Sequence, residues 1–214
     1  MSKLRLHIAM SLDGFVAGPE QSVDNPLGIG GMRLHDWAFP LASWRKPHGL
    51  EGGEVNASTP IVEEQLANVG AVLMGRNMFG GHPGPWGPKP WNGWWGDDPP
   101  YHTPVFVVTH YPRPPLPMQG GTTFTFVSEG IQSALEQAMK AAAGQDVLLA
   151  GGANIAQQYL AARLIDEVNL AVVPLLLKSG ARLFDNLGPA ELGLEQLRAI
   201  EAPGVTHLKY RALR

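Results

Sequence analysis

Apolar and polar positions alternate at the start of the chain, in LRLHIAM (residues 4–10), and this period of two predicts a strand. Solid apolar runs recur further on: AVLMG (71–75), TPVFVVTH (103–110), DVLLAG (146–151) and DEVNLAVVPLLL (166–177), with the shorter TTFTFV (122–127). Runs of this kind suit strands covered on both faces of a parallel sheet. Between them the period changes. STPIVEEQLANVG (58–70) reads as a helix capped by Ser58 or Thr59, with Pro60 in its first turn and Gly70 as its stop. SEGIQSALEQAMKAAAG (128–144) places Ile131, Ala134, Leu135, Ala138, Met139 and Ala142 on one helical face, with Ser128 as cap and Gly144 at the stop. NIAQQYLAARLI (154–165) is a third helix, and LGLEQLRAIEA (192–202) and VTHLKYRAL (205–213) close the chain as an antiparallel pair. Strands alternating with helices, then a run of strands, predict an α/β fold: a central, mostly parallel mixed sheet with an antiparallel C-terminal edge and helices on both faces.

Two stretches break the pattern. SLDGFVAGPEQ (11–21), with its glycines and proline, reads as a mobile loop, and residues 22–56 have little periodicity beyond one short helix. Residues 80–101, GGHPGPWGPKPWNGWWGDDPPY, hold four of the six tryptophans among so many glycines and prolines that no regular element is expected. This stretch reads as an excursion from a single domain spanning 1–214. The 44% apolar content suits a globular core, no apolar run reaches membrane-spanning length, and the net charge of −3 gives no electrostatic footprint for nucleic acid. Without cysteine there is neither a disulfide framework nor a thiolate metal site, and the seven histidines have no ligand spacing. The first apolar stretch is too short for a signal-peptide core, so a cytoplasmic protein is expected.

The run LLAGGANIAQQYL (148–160) poses the chemical question, because it passes from strand to helix through two glycines. Ligands of open parallel sheets sit beyond the carboxyl ends of the strands. At such a point, the first amides of a helix and bare glycines at 151 and 152 can seat a phosphate, with small Ala153 and the Asn154 amide beside them. A purely steric turn fits the same residues. Strand 71–74 ends in Gly75-Arg76, where a guanidinium suits a ribose 2′-phosphate better than a bare ribose. Strand 105–108 ends in Thr109-His110, with Arg113 close by. Taken singly, each arginine also reads as a solvated surface cation and Thr109 as a turn residue.

The segments IAMSLDGFVAG (8–18), AVLMGRNMF (71–79), VFVVTH (105–110) and VLLAGGANIAQQYLAARLIDEVNLAVVPLLLKSGARLF (147–184) resemble the dihydrofolate reductase-like family. More narrowly, they resemble its branch containing the reductase domain of bacterial riboflavin biosynthesis. The resemblance implies a reductase that uses NADPH on a small-molecule, pterin- or pyrimidine-like acceptor. By position it implies that Gly75 and Arg76 help hold the cofactor phosphates. Thr109, His110 and Ser128 would lie on the 2′-phosphate side, and Gly151, Gly152, Ala153, Asn154 and Ile155 would cradle the diphosphate. The backbone of Ala9 would face the nicotinamide. Ser11, Asp13 and Gly14 of the closing loop would lie nearest the chemistry, with Ser11 toward substrate.

No acid clearly matches the one that dihydrofolate reductases set against the pterin. Asp36 is the closest candidate, and Asp13 or Asp36 would polarise the acceptor or relay a proton. Turn and salt-bridge roles fit these two aspartates equally well. The tryptophans can wall a pocket by stacking, and Trp37 is assigned to the substrate pocket, while Trp86 and Trp91 lean toward anchoring the proline-rich stretch or burying a dimer contact. Leu170, Val172, Leu175 and Leu176 belong to core or interface, and a homodimer is expected. Two other readings stay open: a nucleotide-binding protein without turnover, and a groove for another phosphorylated ligand.

Overall fold

The structure, a computed structural model, describes residues 2–82, 84–88, 91–189 and 191–213. Its elements are, in chain order, β1 (Leu4–Ser11), β2 (Phe15–Ala17), α1 (Ala42–Arg45), α2 (Thr59–Leu66), β3 (Val69–Gly75), α3 (Arg76–Phe79), β4 (Pro104–Val108), β5 (Leu116–Pro117), β6 (Thr123–Val127), α4 (Ile131–Ala141), β7 (Asp146–Gly151), α5 (Ala153–Ala161), β8 (Glu167–Val173), β9 (Ala181–Arg182), β10 (Leu194–Ala202) and β11 (Val205–Ala212). Nine strands form one sheet in the order β10-β11-β8-β1-β7-β3-β4-β6-β5, and β2 pairs with β9 apart from it. The central strands from β8 to β6 are all parallel. The sheet turns antiparallel at β11 and β10 on one side and at β5 on the other. This is the α/β sheet that the order of apolar runs predicts, with its antiparallel C-terminal edge.

Side-chain alternation sorts the core into two faces. On one face Leu4, Leu6, Leu73, Leu149 and Val168 pack against Ala134 and Ala138 of α4 and against Ala156, Tyr159 and Leu160 of α5. The other face carries two separate clusters. Val72, Met74, Val107, Phe124 and Phe126 lie with Phe79 of α3 under Trp86, Trp91 and Trp95. Ala171 and Val173 lie under Leu34 and Trp37. The tryptophan-rich stretch is thus the cover of half a sheet face. Three of its indoles donate their N–H groups to carbonyls, Trp86 to Tyr111 at 2.7 Å, Trp91 to Phe79 at 2.7 Å and Trp94 to Met78 at 3.1 Å.

Several expected boundaries move. Gly70 lies inside β3 rather than stopping α2, which ends at Leu66 before Asn68 turns the chain at φ 57°. Ser128 does not cap α4: Gly130 precedes the helix, and the Ser128 hydroxyl donates to Glu129 Oε1 at 3.2 Å. α5 stops at Ala161, and Arg163 follows at φ 55°. Of the late apolar residues, Leu170 is core, whereas Leu176 is 57% exposed. Among the described residues no helix is long and apolar enough to cross a membrane.

Under α2 the second face turns polar. The buried Arg5 donates to the carbonyls of Ala67 at 2.8 Å and Glu64 at 3.4 Å, placing a cation at the carboxyl end of α2. Glu64 accepts from Arg198 at 2.6 Å and Lys209 at 2.8 Å, and Glu167 pairs with Lys209 at 3.1 Å and with Lys3. Two histidines lie within this group. Burial, then the charges of Arg5 and Lys209, push the His7 pKa down to about 3. Burial and then Arg198 push His207 down to about 4, and its Nε2 lies 2.8 Å from the Ser58 hydroxyl.

Both histidines are held neutral in the fold and take up a proton near pH 6.5 once unfolded. The unfolded chain therefore binds more protons as pH falls from about 6.5 toward 4, and stability drops by at most about 1.4 kcal/mol per pH unit for each histidine. The depressed carboxyls of Glu64 and Glu167 add their loss only below their ordinary value of 4.5. Thermal melts should show Tm falling between pH 6.5 and 4.5 in the wild type and a flatter profile in His7→Gln and His207→Gln. A wild-type Tm constant over that window would contradict this assignment.

Candidate functional site

Because the central strands run parallel, their carboxyl ends share one edge of the sheet. The register sets Met74 beside Gly151, and Gly75 beside Val108 beside Val127. The segments that follow these strands, Gly152–Ile155, Arg76, Thr109–His110 and Ser128, therefore stand along one rim in the order β7, β3, β4, β6.

Gly75 and Ile155 join two of these ends. A Cβ on Gly75 would stand 3.2 Å from Cβ and Cγ2 of Ile155, a buried residue in the first turn of α5. Glycine at 75 thus lets that turn press against the end of β3. Gly151 adopts φ 108°, a conformation that favours glycine, and a cis peptide joins it to Gly152. Gly152 has open space where a Cβ would go, and no side chain caps α5. The diphosphate seat expected here is therefore backbone and open volume. Asn154 is exposed, and its Oδ1 accepts from Gln158 Nε2 at 2.8 Å along the helix surface.

Arg76, the first residue of α3, stacks its guanidinium carbon 3.8 Å from the Trp86 ring centre and donates to the His82 carbonyl at 2.9 Å. Its Nε is buried and has no partner among the described residues. Arg113 lies 4.8 Å from the same ring and 4.7 Å from the Phe126 ring, and donates to the Trp91 carbonyl at 2.7 Å. Burial lowers the pKa of both guanidiniums, and Arg113 lowers that of Arg76 further. Among the described residues neither is in an ion pair. Thr109 is buried in the turn, its amide donating to the Val127 carbonyl at 3.0 Å and its Oγ1 accepting from the Tyr111 amide at 3.1 Å. His110 and Ser128 are exposed.

The loop after β1, expected to be mobile, is bonded to the chain around β9 in this structure. β2 pairs with β9, the Leu183 amide donates to the Gly14 carbonyl at 3.0 Å, and Arg182 donates to the Asp13 carbonyl at 3.0 Å. The Asp13 carboxylate accepts from the Ser11 hydroxyl at 2.6 Å and from the amides of Leu177 at 3.1 Å and Lys178 at 2.8 Å. The hydrogen bond from Ser11 leads the effects that hold its pKa below the usual carboxylate value. Ser11 is fully buried and also accepts from the Phe15 amide at 2.9 Å. Both side chains are thus engaged in building the loop. The clasp between Gly14–Phe15 and Arg182–Leu183 leaves no signature in the sequence, because the two-residue β9 carries no periodicity.

Beside the rim, Ala9 of β1 and Leu148 and Ala150 of β7 are half-buried although they stand in the middle of the sheet. They lie between the two clusters of the second face, where the covers leave a strip of sheet partly open. Trp37 flanks it, donating from Nε1 to the Leu34 carbonyl at 3.0 Å and meeting His207 edge-on at 4.9 Å. Asp36 is exposed at the end of the 3₁₀ turn formed by Gly31–His35. Among the described residues no group of three or more histidines and carboxylates is arranged to hold a metal ion.

The family described as the RibD C-terminal domain matches residues 2–206. Among solved structures, a protein assigned to riboflavin biosynthesis in Shewanella sp. PV-4 superposes with a TM-score of 0.64 at 20% identity, covering 99% of each chain. RibD of Acinetobacter baumannii gives 0.59 at 20% identity over all of this chain, which spans 58% of that one. The diaminohydroxyphosphoribosylaminopyrimidine deaminase/5-amino-6-(5-phosphoribosylamino)uracil reductase of Thermotoga maritima gives 0.57 at 15% identity, over 99% of this chain and 57% of that one. At these identities the likeness is one of fold. A search of curated proteins found no match.

The Gly75–Ile155 contact makes the assembly of the rim testable. Gly75→Ala should destabilise by about 1–3 kcal/mol through overpacking, lowering Tm by several degrees. Combined with Ile155→Ala, the loss should fall below the sum of the two single losses, because the added methyl enters the space vacated. Strict additivity in thermal melts would mean that the two residues do not bear on each other.

Proposed function

The chain belongs to the RibD C-terminal domain family, and on that premise we propose that it is an NADPH-dependent reductase passing a hydride to a small heterocyclic acceptor of pyrimidine- or pterin-like kind. The observation that carries this reading is the shared rim: backbone with open space at Gly152 and cationic at Arg76 and Arg113, on neighbouring strand ends. The residues fit such a cofactor on three counts. Among the described residues, a buried Arg76 Nε lacks a partner, both guanidiniums lack a carboxylate, and no atom lies within 4 Å of a Cβ built on Gly152. The pyrimidine-like acceptor takes support from the family and from the uracil derivative named for the Thermotoga protein.

When bound, NADPH supplies the hydride. The chain's part is to bind, orient and dry the site. Backbone at Gly151, Gly152 and Ala153 receives the diphosphate, with Gly75 and Ile155 fixing its position. Arg76 and Arg113 take the extra phosphate, flanked by Thr109, His110 and Ser128. The Ala9 backbone meets the nicotinamide, and the strip over Ala9 and Ala150 takes the acceptor, with Trp37 at its side. Gly14 and the β2–β9 clasp exclude water. Ser11 and Asp13 hold that loop in shape, since three donors keep the Asp13 carboxylate ionised. Asp36 is the exposed carboxyl assigned to proton relay. We also propose that two copies pair to form the active species.

NADPH binding should quench the fluorescence of the tryptophan-rich cover, and NADPH should bind more tightly than NADH. Gly152→Asp should weaken NADPH by about 100-fold through like-charge repulsion while Tm stays near the wild-type value. Unchanged affinity in that variant would return the two glycines to a steric turn. Assays of NADPH oxidation with pyrimidine and pterin acceptors test the reaction itself, and tight binding without any oxidation would favour a binding protein instead.

A further inference from the structure

Trp86 is the residue around which the two arginines gather. Its ring meets Phe79 and Phe126 edge-on, at 5.9 and 5.2 Å between centres, and its Nε1 donates to the Tyr111 carbonyl at 2.7 Å. The core therefore fixes it on one side and the turn after β4 on another. Against this fixed ring lie both guanidinium carbons, at 3.8 Å for Arg76 and 4.8 Å for Arg113. An electron-rich indole attracts each of them and offsets part of their mutual repulsion.

Among the described residues the cluster has no anion in an ion pair with it. One carbonyl takes a bond from each arginine, that of His82 and that of Trp91. Each guanidinium carries five donors, so among the described residues most are left for a ligand, and the buried Arg76 Nε has no partner there. A phosphate monoester brings up to two negative charges and three acceptor oxygens, a match for two forked donors at once.

We propose that Trp86 is a specificity-determining positioning residue: it holds Arg76 and Arg113 together as a two-armed clamp for a phosphate monoester, and this clamp makes the rim prefer the dinucleotide that carries the extra phosphate. The proposal rests on the cofactor reading above. It gives a member of the glycine- and proline-rich stretch a part in ligand choice, in addition to its packing on the sheet.

The test is the ratio of the NADH to the NADPH dissociation constant, measured by calorimetry because substitution of a tryptophan alters the fluorescence. The wild-type ratio should exceed ten. In Trp86→Leu it should fall about tenfold, with NADH affinity changed by less than about twofold, in keeping with the loss of two cation–π contacts. Trp86→Phe keeps a ring against Phe79 and Phe126 and should give an intermediate ratio. Arg113→Met should lower the ratio as Trp86→Leu does. A wild-type ratio near one overturns the cofactor reading and the clamp with it. A high wild-type ratio that survives in Trp86→Leu overturns the role of Trp86 and leaves the cofactor reading standing. If Trp86→Leu does not fold by circular dichroism, the phenylalanine variant and Arg113→Met decide, and wild-type ratios in both overturn the proposal.

Discussion

Parallel pairing of the central strands is the constraint on which the rim depends. Six strands that run the same way must end on the same edge, so segments far apart in sequence become neighbours there. Pairing alone would leave these ends as separate loops. The bare backbone at Gly75 removes that separation by letting Ile155, and with it the first turn of α5, seat against the end of β3. A side chain at either 75 or 151 would disturb the meeting, at 75 by contact and at 151 by backbone strain.

The second constraint is the division of one sheet face between two covers. The segment from Gly31 to α2 covers β8 and β11, with Leu34 and Trp37 inward. The tryptophan-rich stretch covers β3, β4 and β6 with rings instead of a helix. Large aromatic groups bury much area per residue, and proline and glycine let the backbone follow the sheet without regular hydrogen bonding. Between the covers, β1 and β7 keep small or half-buried residues at Ala9, Leu148 and Ala150. The Ser11–Asp13 turn and the β2–β9 clasp densely bond a loop that composition alone marks as loose.

How much of this was legible in the sequence follows from which forces write a local signature. Apolar runs such as VLLAG and AVLMG report a strand buried on both faces, and the sheet forms where they predict. Helix ends were less legible. Gly70 resembles a stop signal, but it is drawn into β3, where a Cβ would collide with backbone at Ala142. At the site, the adjacency of Gly75–Arg76, Thr109–His110 and Gly151–Gly152 could be reasoned from strand ends, because topology decides it. The direction of the Asn154 amide, the enclosure of Ser11 and the gathering of two arginines on Trp86 could not, because each depends on packing between distant segments. Trp86 was hidden most completely, since a stretch rich in glycine and proline has no period from which to read a facing side.

Hydrogen–deuterium exchange with and without NADPH measures the central claim most directly, because it reads every strand end in one experiment. A single dinucleotide across the rim should slow exchange together at residues 11–18, 75–80, 109–113 and 151–156, while the β10–β11 edge stays unchanged. Protection at one of these segments alone, or none at any of them under saturating NADPH, would contradict a shared site.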